Sequence, residues 1–154
     1  MREIENIFLS WKDYNCFACS PQHKIGLRMR FFYDEDTGIV QSRIDPRIDL
    51  EGFPGILHGG LQSTILDEIG FWALYAKTDR LAVTARLSME FLKPVTLRQA
   101  LIGYAKLTKE KGRIAYVDAW LEDEDKVVLS KAEVVYYFTT REMIEATSRA
   151  FCEK

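Results

Sequence analysis

Apolar residues in the middle of the chain recur with the spacing of an α-helix. Leu61, Ile65, Ile69 and Trp72 fall at i, i+4, i+8 and i+11, which is the pattern of one broad apolar face. Such a helix is stabilised mainly by packing that face against the rest of the protein. We therefore expect a central helix that begins near Gly59.

Residues on both sides of this helix alternate with a period of two, as strand residues do. The alternation is most regular over residues 81–92, which predicts a long strand with one buried face. The residues predicted to be buried are Leu81, Val83, Ala85, Leu87, Met89 and Phe91. Further strands, bounded by charged or glycine-containing turns, are predicted at residues 27–33, 39–44, 100–108, 113–121 and 127–140. We expect an α+β fold in which an antiparallel sheet of about six strands wraps one long central helix.

The length and charge of the chain narrow its class. A chain of 154 residues is long enough for one hydrophobic core and short for two, so residues 1–154 are expected to form one domain. Within it we distinguish a leader over 1–26, a core over 27–140 and a short C-terminal helix over 141–154. The formal net charge of -2 argues against a nucleic-acid partner, and no run approaches the roughly 20 apolar residues of a membrane span. The N-terminus shows no signal-peptide pattern, so a cytoplasmic protein without a membrane partner is expected.

The predicted helix opens with His58, Gly59 and Gly60. Backbone N–H groups in the first turn of a helix have no partner within it, and glycine leaves them unshielded. A helix start also carries partial positive charge. The N–H of Gly59 could therefore stabilise a carbonyl oxygen that gains negative charge during acyl transfer, as an oxyanion hole does. The two glycines could equally serve only a tight turn, and His58 could hold the adjoining loop or position a substrate.

Two adjacent carboxylates interrupt the apolar helix. Asp67 is flanked by Leu66 and Ile69, where a carboxylate destabilises the fold unless it has partners or a function. Glu68 lies about 100° further around the helix, so both carboxylates are not expected to point into the same site. One of them is expected to be functional and the other to be a rim or surface charge. A hydrogen-bonded structural carboxylate is the alternative for either residue.

Cysteines near the N-terminus raise the question of a metal site. Cys16 and Cys19, with His23, could supply three zinc ligands, but a structural zinc site requires four, and the sequence has no second paired motif. An odd number of cysteines does not make a disulfide framework, so we expect reduced thiols. Packing of the leader is the favoured interpretation of these residues, and neither a metal nor a cofactor is expected.

Three segments of the chain resemble one enzyme family. The runs PGILHGGLQSTILDEIGFWA and VTARLSMEFLKPV resemble hot-dog-fold thioesterases of the PaaI-like group, in which HGG opens the central helix and an acidic residue follows nine positions after the histidine. Asp67 occupies that position. The run CFACSPQHKIGLRMRF also resembles the leader of one branch of the group. The resemblance covers residues 16–138, and the order of the predicted elements agrees with it.

The resemblance implies hydrolysis of an acyl-CoA thioester. The N–H of Gly59 would polarise the thioester carbonyl, and Asp67 would act as general base toward water or as nucleophile. A hydroxyl on the following strand often assists the water in this family. That position points to Thr84, which alternates onto the face opposite Val83. The resemblance also implies a homodimer or homotetramer with sites at the subunit interface, where Gly59 of one subunit faces Asp67 of the other.

Phe53, Gly60 and Phe71 complete the expected site as substrate contacts, and the aromatic rings suit either an aryl or an aliphatic acyl group. A non-catalytic module that binds acyl-CoA is the alternative function. The acid at position 67 favours the enzyme, and a sensor would need an output domain that the N-terminal segment does not provide. A hydratase would need a catalytic histidine in a spacing different from that of His58.

Overall fold

Seven strands and two α-helices make up the regular structure of residues 1–152, which are the residues that the computed structural model describes. In chain order they are β1 (Arg2–Glu3), β2 (Phe32–Asp34), β3 (Ile39–Ile44), α1 (Gly59–Thr78), β4 (Ala82–Phe91), β5 (Leu101–Lys111), β6 (Ile114–Glu122), β7 (Val128–Phe138) and α2 (Arg141–Cys152). Two short 3-10 helices, Ile7–Ser10 and Ile48–Leu50, lie in the connections. Among these residues, no helix combines the length and the apolarity that a membrane crossing requires.

The strands form an antiparallel sheet in the order β1-β2-β3-β5-β6-β7-β4. Helix α1 connects β3 to β4 and packs against the sheet, where it contacts β3, β4, β5, β6 and β7. Its residues Ile65, Leu66, Ile69 and Trp72 are completely buried, as their spacing predicted. The predicted α+β architecture, with one long helix on an antiparallel sheet, is confirmed.

Both ends of α1 are capped. His58 precedes the helix, and its Nδ1 accepts a hydrogen bond from the N–H of Gly60 at 2.9 Å. Asp79 follows the helix in the left-handed conformation, with φ of 53°, and its N–H donates to the carbonyl of Tyr75 at 2.8 Å. These caps fix the helix between its predicted start and Thr78.

The N-terminal segment adds a strand that the sequence pattern did not predict. Strand β1 has two residues and pairs with β2, and a run this short cannot show alternation. The strand predicted over residues 27–33 becomes regular only at Phe32. Before that point the N–H groups of Leu27 and Met29 donate to the carbonyls of Phe17 and Ala18, both at 2.8 Å. The leader is therefore hydrogen-bonded to the core, and the sheet has seven strands.

Strand β4 departs from the alternation expected of it. Before Ala85 the even-numbered residues face α1, since Ala82 is buried and the Thr84 hydroxyl bonds a side chain of that helix. After Ala85 the odd-numbered residues Leu87 and Met89 pack against the core. The pairing with β7 shifts register at this point. Ala85 is the extra residue of a β-bulge, which allows both segments of the strand to face inward.

The predicted buried face of β4 is therefore correct at Leu87 and Met89 and wrong before the bulge. The place of β4 in the sheet also affects its burial. The strand lies at the edge and, within residues 1–152, pairs only with β7. Val83 is 48% exposed and Phe91 is 56% exposed. An edge strand of 10 residues with open hydrogen-bonding groups and exposed apolar side chains is a surface on which another strand can pair.

Deletion of Ala85 tests the bulge. The residues on either side of it already pair with consecutive residues of β7, so the deletion leaves Thr84, Leu87 and Met89 facing inward. We expect urea unfolding to report a loss of at most about 1 kcal/mol. Deletion of Ser88 is the matched control, because it forces either Leu87 or Met89 outward in exchange for a charged residue. Its cost should be about 2 kcal/mol or more, and equal losses for the two deletions would contradict the bulge.

Candidate active site

The loops around the start of α1 hold it in place. The N–H of Leu57 donates to the carbonyl of Val95 at 2.8 Å, and the N–H of His58 donates to the carbonyl of Leu50 at 3.0 Å. These bonds fix the first helical turn relative to the connection between β4 and β5. His58, predicted as a site residue, thus lies at the helix start and caps it.

The N–H groups of the first turn differ in whether they have partners. The N–H of Gly60 donates to the His58 side chain at 2.9 Å, and those of Leu61 and Gln62 donate to the His58 carbonyl at 3.0 and 3.2 Å. Within residues 1–152, the N–H of Gly59 has no hydrogen-bond partner. The free donor therefore belongs to Gly59. Gly60 instead leaves room for the His58 ring, which lies 3.1 Å from where a β-carbon would be.

A cavity of about 720 Å³ opens at this helix start. Residues of the preceding loop, the first turn and the end of β4 line it, among them Gly52, Phe53, His58, Gly59, Gln62 and Phe91. Phe53 is 81% exposed. Gln62 is buried, and no partner for its Oε1 exists among the described residues. Sequence reasoning missed Gln62, although an amide three residues before Ile65, on the apolar face of the helix, was a signal.

Asp67 lies two turns further along α1 and faces β4. Its Oδ1 accepts a hydrogen bond from the Thr84 hydroxyl at 2.8 Å. The Tyr136 hydroxyl, on β7, donates to the Asp67 backbone carbonyl at 2.5 Å and lies 3.4 Å from Oδ1. Burial raises the pKa of Asp67, and the hydrogen bonds from Thr84 and Tyr136 offset part of that rise. The structure thus brings Asp67 and Thr84 together, on the inward-facing side of the strand that precedes the bulge.

Tyr136 reaches Asp67 because Gly70 has no side chain. A β-carbon at position 70 would lie 2.5 Å from the Tyr136 hydroxyl, and Tyr136 itself is buried. Burial and the nearby carboxylates raise the pKa of Tyr136 well above its usual value, so the phenol keeps its proton and acts as a donor. Sequence reasoning missed Tyr136. The signal was a glycine inside an otherwise apolar helical pattern.

Glu68 faces the leader. Its Oε1 accepts a hydrogen bond from Trp72 Nε1 at 2.9 Å, and its Oε2 accepts a weaker one from Cys16 Sγ at 3.8 Å. Burial, followed by the neighbouring Cys16, raises the pKa of Glu68 to about 7. The expectation that the carboxylate beside Asp67 is a rim or surface charge is wrong, because the leader covers it.

A second cavity, of about 420 Å³, is lined by both carboxylates. Its other walls include Phe8, Trp11, Cys16, Phe71 and Thr84. The expectation that Asp67 and Glu68 do not point into the same site is therefore wrong, since both residues line this cavity. The two cavities share no lining residue. Gly59 and Phe53 belong to the first and Asp67, Thr84 and Phe71 to the second, about 12 Å apart along α1 at about 1.5 Å per residue.

Cys16 and Cys19 come together with Glu68, and His23 does not join them. The two sulfur atoms and a carboxylate oxygen all lie within 4.8 Å of one another. His23 packs edge-on against Phe17, with ring centroids 5.4 Å apart. The Cys19 thiol and nearby backbone N–H groups lower the pKa of Cys16 to about 5, while the interaction with Cys16 and burial raise the pKa of Cys19. His23 therefore does not join the two cysteines in the set of three zinc ligands that the sequence left as the less favoured interpretation.

The architecture places the chain in the class of hot-dog-fold proteins. A solved thioesterase superfamily protein superposes with a TM-score of 0.73 at 23% identity, covering 79% of this chain and 62% of that chain. The E. coli PaaI protein from the phenylacetic acid degradation operon superposes with a TM-score of 0.67 at 15% identity, covering 74% of this chain and 81% of that chain. At these identities the likeness establishes the fold, and the predicted hot-dog fold is confirmed.

The sequence identifies the family. The family model of the thioesterase superfamily matches residues 54–130, half of the chain, and this segment includes Gly59, Asp67 and Thr84. The chain therefore belongs to the thioesterase superfamily, and its resemblance to that family is confirmed. The acyl-coenzyme A thioesterase THEM4 of Rattus norvegicus is 26% identical over 113 residues, which are 73% of this chain and 48% of that protein. The chain spans about half the length of the curated relatives it matches.

Glu68 makes its own contribution to the pH dependence of the chain's stability. Its pKa is about 7 in the folded protein, against a model-compound value of 4.5. Between these values Glu68 binds more protons in the folded chain than in the unfolded chain, so its contribution to stability falls as the pH rises. Cys16, whose pKa is lowered to about 5, contributes in the opposite sense. The contribution of Glu68 is fully present below about pH 4.5 and is lost as the pH rises through about 7. At about 1.4 kcal/mol per pKa unit, the loss reaches up to about 3 kcal/mol.

Urea unfolding near pH 5 and near pH 8 measures this loss in reducing buffer that contains a chelator. Glu68→Gln removes this titrating group, so the unfolding free energy at pH 5 minus that at pH 8 should be lower by about 2 to 3 kcal/mol than in the unmodified chain. Glu124→Gln, in the exposed turn between β6 and β7, is the matched control and should keep the profile of the unmodified chain. A Glu68→Gln profile as steep as that of the unmodified chain would show that another group causes the pH dependence.

Proposed function

We propose that the chain hydrolyses an acyl-CoA thioester to the free acid and CoA. The observation that carries this proposal is the pair of groups on α1: a Gly59 N–H without a partner among the described residues, and Asp67 in a hydrogen bond of 2.8 Å with Thr84. Membership of the thioesterase superfamily supports thioester hydrolysis as the reaction. The relative THEM4 is an acyl-coenzyme A thioesterase, which supports acyl-CoA as the substrate.

Gly59 is the proposed oxyanion donor. When a nucleophile adds to a thioester carbonyl, the carbon becomes tetrahedral and the oxygen gains negative charge. The Gly59 N–H donates a hydrogen bond to that oxygen, and the partial positive charge of the helix start adds to the stabilisation. His58 has a positioning role in this proposal, because its cap on Gly60 holds the first turn in place.

Asp67 is the proposed base or nucleophile. As a base it accepts a proton from a water molecule whose oxygen adds to the thioester carbon, after which the C–S bond breaks and the CoA thiolate leaves and is protonated. As a nucleophile its own oxygen adds to the carbon, and water then hydrolyses the resulting anhydride. Thr84 and Tyr136 both lie against Oδ1, which leaves Oδ2 for the water or the thioester.

A complete site requires a second copy of the chain. Phe91, at the end of β4, lines the cavity of Gly59, and Thr84, near the start of β4, lines the cavity of Asp67. If two β4 edges pair antiparallel about a two-fold axis, the start of each strand lies toward the end of the other. Asp67 of one subunit then faces Gly59 of the second. A homodimer is the smallest assembly with complete sites, and a homotetramer would contain two such dimers.

The acyl group is proposed to occupy the cavity of Asp67. Phe8, Trp11 and Phe71 form much of its apolar wall, and these rings accommodate an aryl or an aliphatic group. Phe53 and Gly60 lie at the other half of the site, on the side left for the CoA part of the substrate. A hydrolysis screen over aryl, short, medium and long acyl-CoAs would distinguish the acyl classes.

Asp67→Asn separates the reaction from the fold. The substitution keeps the side-chain volume but removes the basic or nucleophilic oxygen. We expect kcat to fall by at least about 100-fold while acyl-CoA binding is retained. Release of the CoA thiol measures turnover, and calorimetric titration with a non-hydrolysable acyl-CoA thioether measures binding.

Two controls accompany this variant. Asp118→Asn, at an exposed position of β6, makes the same chemical change away from the site and should keep full activity. Glu68→Gln should lose less activity than Asp67→Asn. Near-normal turnover by Asp67→Asn, or equal losses in Asp67→Asn and Glu68→Gln, would contradict the role of Asp67. Binding without hydrolysis by the unmodified chain would favour the non-catalytic acyl-CoA-binding module.

Mixing two inactive variants tests whether the site is shared between subunits. Gly59→Pro removes the N–H at the first helical position, where proline is tolerated, and the loss of one oxyanion donor typically lowers the rate by about 100- to 1000-fold. In a heterodimer with Asp67→Asn, one of the two sites combines an intact Gly59 with an intact Asp67, so activity should return. Each variant incubated alone is the control. No return of activity, with both variants folded and subunit exchange confirmed by mass spectrometry, would place each site within one chain.

A further inference from the structure

Three metal-ligand groups lie together beside the proposed site and have no part in the proposed hydrolysis. The Sγ atoms of Cys16 and Cys19 and a carboxylate oxygen of Glu68 lie within 4.8 Å of one another. Two of these groups belong to the leader and the third to α1, so the cluster joins positions 52 residues apart. All three residues line the cavity that also contains Asp67.

Neighbouring polar groups orient these side chains. Trp72 Nε1 donates to Oε1 of Glu68 at 2.9 Å, which leaves Oε2 for the thiols. On the other side of the cluster, the Tyr14 hydroxyl lies 2.7 Å from the sulfur of Cys19. Hydrogen bonds from neighbouring residues commonly orient the side chains that bind a metal ion.

We infer that Cys16, Cys19 and Glu68 form a binding site for a divalent cation of the zinc type. Two thiolates and a carboxylate are ligands that Zn²⁺ accepts, whereas Mg²⁺ and Ca²⁺ require oxygen ligands. Zinc–sulfur bonds of about 2.3 Å and zinc–oxygen bonds of about 2.1 Å in a tetrahedron separate the ligand atoms by roughly 3.4 to 3.8 Å. Cys16 Sγ and Glu68 Oε2 are already 3.8 Å apart, so the groups need to approach by at most about 1 Å.

The fourth coordination position opens into the cavity and is available to a water molecule. A cysteine that is still protonated when it binds the cation releases its proton to solvent. The cation then replaces the weak hydrogen bond between Cys16 and Glu68 with bonds that join the leader to α1. Its ligands are separate from Gly59, Asp67 and Thr84, although they line the cavity proposed for the acyl group. The site is therefore tested by measurements that detect the metal ion and not thioester hydrolysis. A disulfide between Cys16 and Cys19 would exclude the cation, because both thiolates would be consumed.

Titration with Co²⁺ tests the site in the full chain, reduced and stripped of metal with a chelator. We expect one equivalent to bind with the near-ultraviolet charge-transfer absorption of a cobalt–thiolate bond and the intense visible bands of a tetrahedral ion, and Zn²⁺ to abolish both. Cys16→Ser and Cys19→Ser should each remove most of the charge-transfer band. Glu68→Gln should lower the affinity for Co²⁺ by at least about 10-fold.

His23→Gln and Cys152→Ser are the matched controls. His23 is a possible metal ligand that lies outside the cluster, and Cys152 is the third cysteine of the sequence. Both should bind Co²⁺ as the unmodified chain does. A titration without a charge-transfer band would overturn the inference. An affinity unchanged in Glu68→Gln, or a band lost in Cys152→Ser, would also overturn it by assigning the metal to other groups.

X-ray absorption on the zinc-loaded, unmodified chain gives a result that does not depend on whether the variants fold. Two sulfur neighbours at about 2.3 Å and two oxygen neighbours at about 2.0 to 2.2 Å are expected. A shell of oxygen and nitrogen atoms alone would overturn the site. Since neither measurement reads thioester hydrolysis, an inactive enzyme would leave this inference standing, and an absent metal would leave the proposed function standing.

Discussion

Burial of α1 is the constraint on which the rest of the structure depends. The helix places Ile65, Ile69 and Trp72 completely inside the protein, and the same burial takes two adjacent carboxylates partly out of water. A carboxylate in that position destabilises the fold unless donors replace its hydration. Asp67 receives donors from two strands, and Glu68 receives one from the helix and one from the leader. The contacts of β4, β7 and the leader with α1 all meet this requirement.

Most of the fold could be predicted because short-range patterns of apolar and polar residues indicate its helices and strands. The spacing of apolar residues located α1 and its start, and alternation located each strand longer than two residues. The buried face of β4 could not be predicted, because alternation continues unbroken through the bulge at Ala85 and only the pairing with β7 reveals it. The surroundings of Glu68 were equally hidden, since they depend on Cys16, which is 52 residues away.

The candidate site was predictable where a motif names its residues. His58, Gly59 and Asp67 follow from the HGG start and the spacing of the acid. The resemblance also pointed to Thr84, and its hydroxyl lies 2.8 Å from Asp67. Tyr136 and Gln62 belong to no motif. Their positions depend on how α1 packs against the rest of the protein, which the sequence pattern does not reveal. The cysteines show the same limit, because the sequence offered only His23 as a neighbouring ligand whereas folding places them beside Glu68.

The contact between Gly70 and Tyr136 makes the residue allowed at one position depend on the residue at the other. The phenolic oxygen lies 2.5 Å from where a β-carbon at position 70 would be, so the helix cannot gain a methyl group there unless the strand gives up its hydroxyl or moves. Loss of that hydroxyl would in turn remove the hydrogen bond that Tyr136 donates to the Asp67 carbonyl. Positions 70 and 136 are therefore expected to covary among homologous chains, with glycine and tyrosine inherited together. A helix glycine that lowers helix propensity is thereby retained for the space it leaves.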